Sequence, residues 1–252
     1  MTTYKDIVYD AQFPEICKLD LYLPENAAKM PVYMYIHGGG IESGSKSDAS
    51  EMAKKLTENG VALASIDYHM YSAGRFPDYL NDAAAAAKWL LRKGSKYAEF
   101  SGLVIGGSSA GGYISMMLYF NPAYLANKGV ALTEIRGWFF DAGQPTTHFN
   151  VLKYEHGLDS RCVIIDEGAP LYYLRNAYTA ETYNPKIFIC CSEHDMVNRL
   201  EQLQMLHAAM LHFGFPKERL QMKVYDCKSH CGYLIWDEYF ADTVNFVKNC
   251  LE

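Results

Sequence analysis

Short apolar runs alternate along this chain with longer stretches of helical periodicity. Residues 32–36, 61–66, 103–105, 137–140, 187–191 and 221–225 are rich in β-branched and aromatic residues, apolar at successive positions. A strand covered by helices on both faces has no solvent side, so it carries apolar residues without alternation. Two earlier segments, 7–9 and 19–23, fit a hairpin that ends at Pro24. Between the runs, five segments are expected to be helices. Residues 48–59 open on Ser and Asp residues suited to capping and stop at Gly60. Residues 82–92 are alanine-rich and end before Gly94, and 111–120 end before Asn121-Pro122. Residues 200–213 stop at Gly214, and 240–251 form the last helix. This alternation predicts an α/β fold, a mostly parallel central sheet flanked by helices. Its chemistry is expected at the carboxyl ends of the strands.

The length of 252 residues fits a single α/β domain over 1–252. Half the residues are apolar, enough for a substantial core, and the net charge of −6 argues against nucleic acid as a partner. No run of about 18 apolar residues suggests a membrane span. The start, Met1-Thr2-Thr3-Tyr4-Lys5-Asp6, does not read as a secretory signal. Seven cysteines, an odd number with Cys190 and Cys191 adjacent in a strand, point to reduced thiols and a cytoplasmic setting. Cys227, His230 and Cys231 lack the second ligand pair of a zinc site, so no metal and no cofactor are expected. The sequence carries no signal of oligomeric state.

Candidate chemistry begins with Gly107-Ser108-Ser109-Ala110-Gly111, a Gly-x-Ser-x-Gly pattern centred on Ser109. An apolar strand precedes it and a helical stretch follows, the setting in which a serine sits on a sharp turn as a nucleophile. The flanking glycines are needed because side chains there would collide with the neighbouring strand and helix. Ser108 lacks glycines at the same two-residue spacing. A second motif, His37-Gly38-Gly39-Gly40, follows the strand 32–36 directly. Consecutive glycines let backbone N–H groups point into a cavity, where they can stabilise an oxyanion.

Together these motifs resemble the hormone-sensitive-lipase-type branch of the α/β-hydrolase esterases. Ile66-Asp67-Tyr68, Phe76-Pro77 and Asp82 followed by Lys88-Trp89-Leu90 add to the likeness, which spans about residues 31–230. The resemblance implies oxyanion donors at the N–H of Gly39, Gly40 and Ala110, with His37 orienting the glycine loop. It also implies the order Ser, acid, His, which points to Asp195 as the acid and to His230, after the last strand, as the base. Asp141 is the nearest rival acid and Glu193 a weaker one. Two departures stand out: Ser108 replaces the usual Asp before the nucleophile, and there is no room for an N-terminal helical cap. Only 143–174 could form a small lid, which implies an open site.

The expected activity is therefore hydrolysis of a small-molecule carboxylic ester, short-acyl or carbohydrate-borne, through an acyl-enzyme. The alternatives are a non-catalytic binding protein on the same scaffold, or an amidase or peptidase with the same triad. Tyr68, Tyr71 and His148 are the candidate substrate contacts; most of the twenty tyrosines are expected to fill the core.

Overall fold

The apolar runs form one eight-stranded sheet. The computed structural model describes residues 1–25, 28–176, 183 and 185–252. Its strands are β1 (Thr2–Val8), β2 (Lys18–Leu23), β3 (Lys29–Ile36), β4 (Ala62–Ile66), β5 (Glu99–Ser108), β6 (Ile135–Asp141), β7 (Lys186–Ser192) and β8 (Leu220–Tyr225). They lie in the order β1-β2-β4-β3-β5-β6-β7-β8. The hairpin pairs β1 with β2, β2 runs antiparallel to β4, and the remaining neighbours are parallel. The helices are α1 (Ser50–Glu58), α2 (Asp78–Lys93), α3 (Ala110–Phe120), α4 (Ala123–Asn127), α5 (Phe149–Tyr154), α6 (Arg199–His212) and α7 (Asp237–Asn249).

Successive strand residues point to opposite faces, and from β2 to β7 both faces are largely buried. Val32, Met34 and Ile36 of β3 join Ile105, Phe140 and Ile189 in the core beneath α2, α3 and α6. Tyr33 and Tyr35 join Val104, Phe139 and Phe188 in a second core beneath α1 and α7. That two-sided burial is why the strands read as unbroken apolar runs. The run Ala83–Ala87 of α2 is buried against the first core, where its short side chains allow a close approach.

The helices depart from expectation in two ways. The second begins at Asp78, a turn before Asp82, because Pro77 serves as its N-cap residue and a proline is tolerated at a helix start. Asp82 thus lies inside α2, where its carboxylate accepts hydrogen bonds from the N–H and Nδ1 of His69. The short α4 and α5 were not anticipated, since five or six residues leave little periodicity to read.

Strand register brings the functional loops to one edge. Ile36 pairs with Gly107, Ser108 with Asp141, and Asp141 with Cys190. The loops after β3, β5, β6 and β7 therefore start level with one another. At this edge a Cβ on Gly111 would lie 1.9 Å from the carbonyl oxygen of Ile36, a backbone atom that cannot step aside. Gly111→Ala is expected to cost about 3 kcal/mol, the upper part of the range for overpacking. Urea unfolding followed by circular dichroism measures it; a loss below about 0.5 kcal/mol would show that α3 can shift away from β3.

Candidate functional site

Ser109 stands between β5 and α3 with φ 55° and ψ −114°, a strained conformation for a non-glycine residue. Its N–H donates to the Asp141 carbonyl at 2.8 Å and its own carbonyl accepts from Tyr113 N–H at 3.0 Å, so the turn is held from both sides. The side chain is thereby presented above the sheet edge. Its Oγ lies 2.8 Å from Nε2 of His230.

His230 comes from the loop after β8. Its Nδ1 lies 2.6 Å from Oδ1 of Asp195, whose side chain is wholly buried in the loop after β7. Burial pushes the Asp195 carboxyl up. The His230 hydrogen bond and charge, the Met196 N–H and the Arg199 charge outweigh it and hold the group below the ordinary carboxylate range. An ionised carboxylate only accepts, so Nδ1–H donates to Asp195, and whenever the ring is neutral its Nε2 is left to accept from the Ser109 hydroxyl. The structure thus brings Ser109, His230 and Asp195 into one hydrogen-bonded line.

The glycine loop lies beside this line. Gly39 and Gly40 have φ of 97° and 67°, values open to glycine and disfavoured for other residues. The carbonyls of the loop are all occupied. Gly38 O lies 2.7 Å from His37 Nδ1, which donates to it, and Gly39 O accepts from the N–H of Glu42 and Ser43, each at 3.0 Å. Gly40 O accepts from Asn150 Nδ2 at 2.6 Å. Among the described residues, nothing accepts from the N–H of Gly39 or Gly40. Ala110 is the first residue of α3, where a helix leaves its N–H without an intrahelical acceptor. Ser109, His230, Gly39 and Gly40 border a cleft of about 680 Å³ lined also by Tyr35, Phe149, Met196, Cys231 and Leu234.

Comparison with known proteins identifies the family and the fold. The model of the prolyl oligopeptidase family matches residues 77–252, more than half of the chain. The chain belongs to the prolyl oligopeptidase family. A second model, BD-FAE, matches residues 19–130. A probable isoprenylcysteine alpha-carbonyl methylesterase of Arabidopsis thaliana is 26% identical over 145 residues, 55% of this chain and 34% of that protein. The match thus spans about a third of that relative's length. A thermophilic esterase from Thermogutta terrifontis superposes with TM-score 0.75 at 17% identity, covering 98% of this chain and 94% of that one. Brefeldin A esterase, a bacterial homologue of human hormone sensitive lipase, superposes with TM-score 0.71 at 16% identity, covering 99% and 77%. The fold is that of the α/β-hydrolases, shared with a hormone-sensitive-lipase homologue.

The candidate substrate contacts do not fall in the cleft of this prolyl oligopeptidase family member. Tyr68 is buried; its ring stacks on His37 with centroids 4.4 Å apart, and its hydroxyl donates to the His37 carbonyl at 2.9 Å. It braces the glycine loop from behind. Tyr71 lines a separate cavity with Tyr154, Arg75 and Asp78. His148 is buried, and its Nδ1 accepts from Asn150 N–H at 3.2 Å, capping α5. Tyr68 and His148 stack on His37 and Phe149, which do line the cleft. Within 143–174 it is Phe149, on α5, that reaches the cleft. Beside Ser109, Ser108 Oγ lies 2.7 Å from the Tyr35 hydroxyl, both lining the cleft. That pair has no sequence signature.

Other clusters are engaged elsewhere. Both ring nitrogens of His230 face Asp195 and Ser109, and the Cys227 thiol donates to Ser229 O at 3.6 Å. Cys17, His69 and Asp82 converge as buried groups of metal-ligating type. They satisfy one another instead: Asp82 takes His69 Nδ1 at 2.7 Å and the Cys17 thiol at 3.5 Å, pinning α2 to the chain after β4. No helix of the described residues is long and apolar enough to cross a membrane.

Asp141, the rival acid, ends β6 wholly buried. It accepts hydrogen bonds from the hydroxyls of Tyr233 and Tyr239 and the thiol of Cys190. Burial pushes its carboxyl up to about 6, although these three partners oppose the rise. The native state therefore holds a proton that the unfolded chain gives up at its ordinary value of 3.8. The stabilisation is complete below 3.8 and lost as pH rises through about 6. Relative to Asp141→Asn, the wild type is expected to lose ~3 kcal/mol between pH 3.5 and 7. Urea unfolding of both proteins across this range measures the difference; parallel curves would show that Asp141 keeps its unfolded affinity for protons.

Proposed function

We propose that this chain is a serine hydrolase of carboxylic esters. The observation that carries the reading is the unbroken line from Asp195 through His230 to Ser109, opening on the cleft that Gly39 and Gly40 border. His230 Nε2 takes the Ser109 proton as Oγ attacks the ester carbonyl. The negative charge that develops on the carbonyl oxygen is held by the N–H groups of Gly39, Gly40 and Ala110, at the N-terminus of α3. Asp195 stabilises the imidazolium. His230 then gives the proton to the leaving alcohol, an acyl-enzyme remains on Ser109, and water activated by His230 releases the acid. Every bond in this cycle is made and broken by side chains and water, without a cofactor.

The cleft narrows the substrate class. Phe149, Met196 and Leu234 form an apolar wall, and Val197 and Ile235 beside them are exposed. Glu42 and Asp48 lie on the lining, and it includes no Lys or Arg. That charge pattern disfavours esters bearing a carboxylate and suits uncharged ones, with a short acyl group or on a hydroxyl-rich, carbohydrate-type alcohol. Relatives named as esterases support ester chemistry. The free cysteines support a reducing, cytoplasmic setting.

Hydrolysis of p-nitrophenyl acetate, butyrate, octanoate and palmitate, beside a p-nitroanilide, tests the reading. Activity is expected to be greatest on the short chains and to fall by about 10⁴-fold or more in folded Ser109→Ala. Equal and negligible rates in both proteins would favour a binding protein, and a preference for the anilide would favour an amidase.

A further inference from the structure

The glycine loop is followed by a backbone outlier. Ile41 is β-branched and wholly buried, yet it lies at φ 65°, in the left-handed region that such residues avoid. A conformation of that kind persists only when its surroundings impose it.

Both peptides that flank Ile41 are held from other parts of the chain. On its far side the Ile41 carbonyl accepts from Tyr71 N–H at 2.7 Å. On its near side Asn150 Nδ2 donates to the Gly40 carbonyl at 2.6 Å, across 110 residues of sequence. Asn150 itself is buried. The Tyr154 hydroxyl, and after it the Asn150 amide, hold the neighbouring Glu42 carboxyl below its ordinary range. Asn150 and Tyr71 thus tie the loop on either side of Ile41. The contact is close: a Cβ on Gly40 would lie 3.3 Å from Asn150 Nδ2 and 3.3 Å from the Phe149 ring. Asn150 is in turn fixed by the cap from His148, whose Nδ1 can accept only while the ring is neutral. Burial, with the Arg199 charge behind it, holds that imidazole well below its ordinary value.

Resting on the ester-hydrolysis reading above, we propose that Asn150 is a positioning residue of the oxyanion loop. By holding the Gly40 carbonyl it fixes the Gly40–Ile41 peptide and maintains the strained Ile41 backbone, the anchor from which Gly40 presents its own N–H to the cleft. Without it, Ile41 can relax toward a right-handed conformation, which rotates the Gly40–Ile41 peptide and frees Gly40 to carry its N–H away from the developing charge. Substrate affinity depends little on that donor, so the loss falls on the transition state.

The test uses Asn150→Ala and Asn150→Asp, the second isosteric but unable, when ionised, to donate. Two readouts are compared with wild type: kcat and KM on p-nitrophenyl acetate, and the rate at which a fluorophosphonate labels Ser109. Both kcat and the labelling rate are expected to fall about 10- to 100-fold, less than for outright deletion of a donor, with KM within about threefold. Asn150→Ser, too short to reach Gly40 O, is made alongside in case the other two do not fold. Folded variants that keep wild-type kcat and labelling, or that change only KM, would overturn the proposal. If none of the three folds, Asn150 belongs to stability and the proposal fails. A folded wild type that is not labelled would instead bring down the serine-hydrolase reading beneath it.

Discussion

The carbonyl of Ile36, at the end of β3, occupies the space that side chains at two other positions would need. A Cβ at residue 107 would sit 2.3 Å from that oxygen, and one at residue 111 would sit 1.9 Å from it. Glycine at both positions lets β5, the turn and α3 pack directly against the end of β3. The chain can then turn from strand to helix across a single residue, Ser109, at the cost of a left-handed backbone there. The same contact fixes the origin of the glycine loop, which leaves β3 immediately after Ile36. Ser109 and the N–H groups of the glycine loop are therefore neighbours because of one steric fit. A Cβ on Gly38 would lie 3.1 Å from the Ser108 carbonyl, so the loop also presses on the elbow.

Two buried aspartates near the same edge show how strand parity divides their tasks. Asp141 follows Phe139 by two residues, so it shares that residue's face and points toward α7, where Tyr239 meets it. There it is desolvated and inclined to stay protonated. Asp195 lies three residues beyond the end of β7, free of the pleat, and its loop carries the carboxylate to His230. Its burial is offset by a cationic neighbour, an N–H donor and the imidazole. The ionised acid is the one that left the strand. The protonatable one anchors Tyr233, three residues after His230, and so braces the loop that carries His230.

Much of this was legible in the sequence because it is local. Strands buried on both faces leave unbroken apolar runs, and turns that tolerate only glycine leave glycine pairs at fixed spacing. The order of the motifs along the chain indicated Ser109, Asp195 and His230, which the structure brings within hydrogen-bonding distance. The failures share one cause. Tyr68, Tyr71 and His148 were placed near the site by their position after strand ends or in a presumed lid. Side-chain direction depends on packing partners far away in sequence, and it turned all three away from the cleft. Asn150 and the Tyr35–Ser108 pair were missed for the same reason, since contacts across 110 and 73 residues have no local pattern.

The glycine loop shows how donors are aimed by occupying their opposites. In a peptide the N–H and C=O point in opposite directions, so fixing one fixes the other. The His37 ring holds Gly38 O and thereby sets the N–H of Gly39; Glu42 and Ser43 hold Gly39 O and set the N–H of Gly40. Asn150 closes the series at Gly40 O, just before the strained residue. In the proposed hydrolysis, donors fixed in this way would need no reorganisation as negative charge develops in the cleft, which is where electrostatic stabilisation gains over water. The strain at Ile41 is the counterpart of that fixity. A relaxed loop would satisfy Ile41 and leave its N–H groups free to turn elsewhere.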